Sequence, residues 1–463
     1  MGSPESETAD PGLDVQRDVQ LDIELASLHE SLMDPMMSSL VFLNEVASRF
    51  PDSISFAAGR PAEDYFDTAD IARYIEIFTN HLREQREMSE AEVRRTLLQY
   101  GRTNGIIHDL VARQLEIDEG VRVPAESIVI TVGAQEGIFL VLRALRGTQR
   151  DAVLAVAPTY AGLAGAARLV DCPVVPVRSG DGGIDLADLQ STIDATRRRG
   201  LRPRLLYIVP DVSNPTGISL DLSTRRRLLE IVRTADLFVL EDNAYGVFAG
   251  GGRRLPTLKS LDEQRRVIRV GSFAKTVWPG ARVGYVVADQ LVGERAAGAG
   301  PARATLLAEQ LGVIKSMLTV NTSPITQAVV GGALIAHGIS LFAANERQIA
   351  IYQRNLALML DGLGRRLSGT PGVSWNSPTG GFFLSLGVPF RADEALLEWS
   401  AREHGVLWTP MSNFYTDGGG ANHLRLAFSQ MDPPTIDEGL DRLAGFIRAA
   451  AASSKGPESS GTS

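Results

Sequence analysis

Three short stretches put reactive side chains where the chain turns: Ser213-Asn214-Pro215-Thr216-Gly217, Asp242-Asn243-Ala244-Tyr245 and Ser272-Phe273-Ala274-Lys275-Thr276. Each follows an apolar run, with 28 residues from Asn214 to Asp242 and 33 from Asp242 to Lys275. A lysine at such a place, with hydroxyls nearby and Arg282 seven residues on, suits an imine to an aldehyde cofactor bearing a phosphate. Alone, the segment also reads as a basic turn on a solvated surface. A carboxylate in an apolar crevice needs a cationic partner, and a protonated pyridine nitrogen is one. Paired with Asp242, such a ring becomes an electron sink; a helix N-cap is the other use open to this aspartate. Tyr245, three residues on, reaches toward a hydroxyl of the same ring. Pro215 pushes Asn214 out of the helical region and Gly217 permits a positive φ. The result is either a plain turn or an amide able to donate to a phenolate-like oxygen.

These residues can meet only if the segments before them are neighbouring strands. Apolar runs at Ile128–Val132, Val153–Val156, Val174–Val177, Leu205–Val209, Leu237–Leu240 and Val267–Val270 alternate with amphipathic stretches at Glu136–Leu145, Tyr160–Leu169, Leu186–Arg197 and Ser223–Thr234. Alternation of this kind predicts an α/β fold, a mostly parallel sheet sandwiched by helices. Ligands of such sheets bind outside the carboxyl ends of the strands, where Asn214, Asp242 and Lys275 lie. Gly133-Ala134-Gln135-Glu136-Gly137 after Ile128–Val132 opens a helix on small residues, so backbone N–H groups and the helix dipole can approach an anion. Beyond about residue 320 the pattern changes. A long helical stretch from Ser323 to Leu367 precedes strand-like pieces at Gly381–Leu386 and His423–Phe428 and helices around Asp393–His404 and Thr435–Ala451. This predicts a second, smaller α+β domain.

Composition narrows the classes. The chain has 463 residues, 44% hydrophobic and 22% charged, with net charge −9, so it has a large core and no general attraction to nucleic acid. Runs such as Arg197–Arg199 and Arg225–Arg227 read as polar helix faces. One cysteine, Cys172, excludes an intrachain disulfide, and the six histidines show no HxxxH or HxH spacing, so no metal site is expected. The acidic N-terminus is unlike a secretory signal, and no apolar run approaches a membrane span; a cytoplasmic protein is expected.

Taken together, Ser213–Gly217, Asp242–Tyr245, Ser272–Thr276 and Arg282-Val-Gly-Tyr285 resemble the signatures of class I/II aminotransferases, pyridoxal 5'-phosphate enzymes of fold type I. Ser55-Phe-Ala-Ala-Gly59-Arg-Pro61, Leu98-Gln-Tyr100-Gly101, Pro158-Thr-Tyr160, Thr379-Gly-Gly381 and Leu424-Arg425-Leu-Ala-Phe-Ser429 bring the chain nearest the 2-aminoadipate and kynurenine aminotransferases. The likeness runs from about Ile54 to Ile447. It implies that Lys275 forms the Schiff base and shuttles the proton, that Asp242 pairs with the ring nitrogen, and that Asn214 and Tyr245 meet the ring oxygen. Tyr160 would stack on the ring. Gly133, Ala134, Gln135, Ser272 and Arg282 would hold the phosphate, and Tyr100 that of the other subunit of a homodimer. Arg425 would clamp the substrate carboxylate, with Gly59, Arg60 and Asn214 beside it.

The implied organisation is a tail at 1–20, an N-terminal arm at 21–60, a large cofactor domain at 61–335, a small domain at 336–450 and a tail at 451–463. The implied partners are an L-amino acid and a 2-oxo acid, without nucleic acid or membrane. Arg60 stands where relatives usually carry Leu, Met411 where glycine is frequent, and Trp278 where a small residue or Phe is common. These departures either repack loops or reshape the substrate pocket. They leave open a second outcome on the same scaffold: elimination, replacement, cyclisation or oxidation. A DNA-binding regulator with an aminotransferase-like sensor is disfavoured, because the residues before Ile54 are acidic and show no basic recognition helix.

Overall fold

The computed structural model describes residues 22–34, 45–180, 182–250, 254–293 and 304–454. Strand β1 (Ile54–Ser55) precedes the central sheet, which is built from β2 (Ile128–Thr131), β3 (Asp151–Ala157), β4 (Val174–Arg178), β5 (Arg202–Ile208), β6 (Phe238–Asp242), β7 (Val267–Ser272) and β8 (Gly284–Val287). Their order is β2-β8-β7-β6-β5-β3-β4; β8 runs against both neighbours and the remaining pairs are parallel.

The aliphatic runs form strands because both of their faces are covered. Val153, Ala155, Leu205, Tyr207, Leu240 and Val270 pack on one side with helices Gly133–Leu145 and Ala161–Leu169. Leu154, Leu206, Ile208, Val239 and Val267 pack on the other with Leu186–Arg198 and Leu222–Thr234. Two-sided burial explains continuous apolar runs in place of alternation. Asp185 and Asp221 start the two latter helices by accepting from backbone N–H groups of their first turns.

Two short antiparallel strands, β9 (Leu291–Gly293) and β10 (Ala304–Leu306), follow. A four-stranded sheet then forms from β11 (Ser374–Trp375), β12 (Phe383–Gly387), β14 (Thr409–Pro410) and β15 (His423–Ala427), in the order β11-β12-β15-β14. Strand β13 (Val406–Leu407) pairs with β1, so the N-terminal segment joins this part of the molecule; Val46 and Phe56 are buried with Leu356, Leu384, Trp408, Leu424 and Leu443.

The expected elements are present, alongside others that the sequence pattern did not mark, among them the helices Ala69–Glu84, His108–Glu119 and Leu307–Leu318. The antiparallel β8 was not among the expected strands. The long helical stretch breaks into Pro324–Ala336, Leu341–Ala344 and Glu346–Leu367, because Gly338 and Ile339 take φ of 65° and 61°. Ile339 is held there by burial and by its N–H, 2.7 Å from Leu334 O. The last helix, Pro433–Ser454, extends into the stretch read as a tail, while residues 1–20 and 455–463 lie outside the described residues.

Candidate active site

Strand β3 has β4, its successor in the chain, on one side and β5 on the other. The loops after β3 and β5 therefore diverge and leave a crevice at the carboxyl edge of the sheet. Tyr160 follows β3, Asn214 follows β5, Asp242 ends β6, Lys275 follows β7 and Gly133 follows β2.

Lys275 is largely buried, with Nζ 3.3 Å from the Gly59 carbonyl and 5.8 Å from the centre of the Tyr245 ring. Burial, then the charges of Arg282, Arg425 and Arg60, lower its pKa to about 8. Asp242 is 5% exposed. Its Oδ2 accepts from Tyr207 Oη at 2.7 Å, while the buried Oδ1 has no partner among the described residues. Burial raises its pKa to about 6, opposed by the hydrogen bond from Tyr207 and by the nearby Ala244 backbone N–H. Tyr245 lies edge-on to Phe382 and Phe383, and burial holds its phenol well above the usual range.

Arg425 comes from the other sheet, opposite Ser385 on β12 and Thr409 on β14. It is 8% exposed and lies 4.6 Å and 4.9 Å from the Phe383 and Phe414 ring centres. Its guanidinium donates to Asn214 Oδ1 (2.9 Å), Ala57 O (2.6 Å) and Thr409 Oγ1 (3.1 Å), all neutral acceptors, and Nε has no partner. Burial lowers its pKa to about 10. Because a guanidinium can only donate, Arg425 orients the Asn214 oxygen and leaves the Asn214 amide to donate to Tyr245.

The anion end is made of backbone. Gly133 has φ +73°, and a Cβ there would lie 2.5 Å from Arg282 Nη2. A Cβ at Gly284 would lie 2.7 Å from Ala134 N, so β8 packs directly on the turn. Glu136 fastens the turn from behind, accepting from Val132 N at 2.6 Å and Lys315 Nζ at 2.8 Å. Gln135 donates to Gly162 O at 2.6 Å, next to the Tyr160 ring. Ser272 Oγ accepts from Ala274 N at 3.2 Å.

The remaining candidates differ in how they are placed. Gly59 has no room for a side chain, since a Cβ would come within 2.2 Å of Phe383 Cε1. Arg60 is exposed, with its carbonyl accepting from Ser429 Oγ at 2.5 Å. Tyr100 is 86% exposed at the surface. Trp278 packs on Tyr74, 5.7 Å between ring centres, and Met411 is buried. Tyr207, Phe383, Thr409 and the Ala57 carbonyl escaped the sequence reading. Only Tyr207 left a signal, a hydroxyl in an otherwise aliphatic strand, which burial obliges to find a partner.

Residues 77–443 match the family model for aminotransferase class I and II. The chain belongs to this family. It is a pyridoxal-phosphate-dependent aminotransferase. It is 53% identical to the (S)-3,5-dihydroxyphenylglycine transaminase of Amycolatopsis orientalis, over 92% of this chain and 95% of that one. It is 31% identical to the 2-aminoadipate transaminase of Thermus thermophilus, over 86% and 91% of the two chains. A Pyrococcus horikoshii kynurenine aminotransferase, solved with PMP, KYN as substrate and KYA as product, superposes with a TM-score of 0.74 at 26% identity, covering 88% of this chain and 94% of that one. These relatives agree with the subgroup expected from the motifs. The unpartnered Asp242 oxygen and the backbone cradle beside Arg282 fit the ring nitrogen and the phosphate of the aminotransferase's cofactor. Among the described residues no helix is long and apolar enough to cross a membrane, and no group of three His, Cys, Asp or Glu side chains could hold a metal ion.

Proposed function

We propose that Lys275 carries the cofactor as a Schiff base and that the donor is an amino acid with a hydroxylated aryl group on Cα, of the dihydroxyphenylglycine type. Pyridoxal phosphate supplies an aldehyde for the imine link and a ring that accepts the electron pair released at Cα. The convergence of Lys275 Nζ, Asp242 Oδ1 and the Arg425 guanidinium on one crevice carries the reading of the chemistry. Identity of 53% with the dihydroxyphenylglycine transaminase supports the substrate class.

In this reading the free Lys275 amine would take the proton from the substrate Cα and deliver it two atoms further on, to the carbon that was the cofactor's aldehyde. Its pKa, lowered to about 8, leaves about a tenth of the amine neutral at pH 7, far more than an ordinary lysine has, as a base needs. Asp242 Oδ1 holds the proton on the ring nitrogen, Tyr245 and Asn214 hold the ring oxygen, and Tyr160 covers the ring face. The N–H groups of Gly133, Ala134 and Gln135, with Ser272 and Arg282, hold the phosphate. Arg425 binds the substrate α-carboxylate beside Asn214 and Gly59, and Arg60 faces its side chain.

A homodimer completes the site, with Tyr100 reaching the phosphate of the second subunit. The strong exposure of apolar Tyr100 and Met317, both at 86%, supports this assembly. We divide the protomer at about residues 60 and 335, with the N-terminal segment packed into the smaller core, and place the protein in the cytoplasm, in keeping with a single cysteine.

The test is a donor screen read from the cofactor spectrum. Dihydroxyphenylglycine is expected to convert the aldehyde form to the amine form faster than 2-aminoadipate or kynurenine. Preference for 2-aminoadipate would reject the substrate class. Conversion by no donor would reject transamination as this site's reaction.

A further inference from the structure

We propose that Tyr207 is a positioning residue: it ties Asp242 Oδ2 inside the sheet, so that Oδ1 alone is presented to the cofactor's ring nitrogen. The inference rests on Asp242 being the partner of that nitrogen, as set out above.

Tyr207 lies opposite Ala155 on β3 and Leu240 on β6. Asp242 is two residues beyond Leu240 and so faces the same side of the sheet. That diagonal is within reach of a long aromatic side chain, and the 2.7 Å hydrogen bond closes it. Tyr207 is 1% exposed and packed among Val153, Ala155, Leu205 and Leu240. Phenylalanine would fill this space, so packing does not account for the hydroxyl. Its one recorded hydrogen bond is to Asp242.

Without this bond the carboxylate could turn about its last torsion, and both oxygens would compete for the nitrogen. Burial also favours the neutral acid, and the hydrogen bond from Tyr207 opposes it. The phenol is held well above its usual range by burial and the Asp242 charge, so it remains a donor. Tyr207 therefore helps ensure that the shared proton resides on the ring and not on Asp242.

The experiment uses Tyr207→Phe, Asp242→Asn and the double variant, loaded with 15N-labelled pyridoxal phosphate. It reads the ring-nitrogen chemical shift and the cofactor dissociation constant, with thermal midpoints measured alongside. Tyr207→Phe is expected to move the nitrogen signal toward the neutral form and weaken cofactor binding by about tenfold, the equivalent of one pKa unit. In the Asp242→Asn background the same substitution is expected to add less than about twofold, because the two residues act as one unit. A nitrogen signal and affinity unchanged by Tyr207→Phe, while Asp242→Asn alters both, overturns the Tyr207 proposal and leaves the Asp242 reading standing. Equal losses in both backgrounds also overturn it, because the tyrosine then acts by packing alone. If Asp242→Asn itself changes neither readout, the reading of Asp242 fails, and the proposal with it.

Discussion

Replacing Arg425 by lysine tests whether the second sheet supplies the carboxylate anchor. The guanidinium sits in an apolar surround, and its recorded partners are three neutral acceptors. These leave one N–H on Nε and one on Nη1 for a ligand. Lysine keeps the charge but cannot hold Asn214, Ala57 and Thr409 and also grip a planar carboxylate. Losing one hydrogen bond to a charged group removes about 2 kcal/mol, which corresponds to about thirtyfold in kcat/KM. The assay is the single-turnover half-reaction, followed through the cofactor spectrum, with two donors: an amino acid and the matching amine without its carboxylate. The amino acid should lose about thirtyfold in Arg425→Lys and the amine less than about threefold, since only the first uses the anchor. Equal losses for both donors would refute the assignment and make Arg425 a structural cation that orders Asn214.

Lysine titration offers a second check. Only the neutral amine attacks an aldehyde, so imine formation on cofactor-free protein should rise with pH and level off above about 8, where Lys275 titrates. An inflection near 10.4, the ordinary lysine value, in stopped-flow absorbance would contradict the burial argument. Gly133→Ala forces a side chain into a left-handed residue and against Arg282. The backbone strain alone is about 1–2 kcal/mol, so cofactor affinity by fluorescence titration should fall about tenfold or more. Arg60→Leu should change the ratio of kcat/KM between an arylglycine donor and 2-aminoadipate, leaving the cofactor spectrum unaltered. An unchanged ratio would make Arg60 a surface residue.

Much of the candidate site was legible in the sequence because several of its groups lie at or just beyond the end of a strand. Such positions combine an aliphatic run, a turn residue and one reactive side chain within a few residues. Asn214, Asp242, Tyr245 and Lys275 all satisfy that pattern, and the structure brings them into one crevice. Strand β8, four buried residues at Gly284–Val287, was missed, and its antiparallel direction is set only by its pairing with β2 and β7. The break at Ile339 was equally hidden, since a β-branched residue at positive φ opposes its own local preference and is held by tertiary contacts.

The sequence by itself determined the α/β class, the alternation of strands and helices through most of the central sheet, and Asn214, Asp242, Tyr245 and Lys275 as candidates for the chemistry. These follow from local patterns, namely which stretches can be buried and where turns must fall. Tertiary structure alone decided which oxygen of Asp242 is free, how far the Lys275 amine is lowered, and that Arg425 reaches Asn214 from a segment 211 residues away. Those properties depend on burial and on the charges gathered around each group, and neither exists until distant segments pack together.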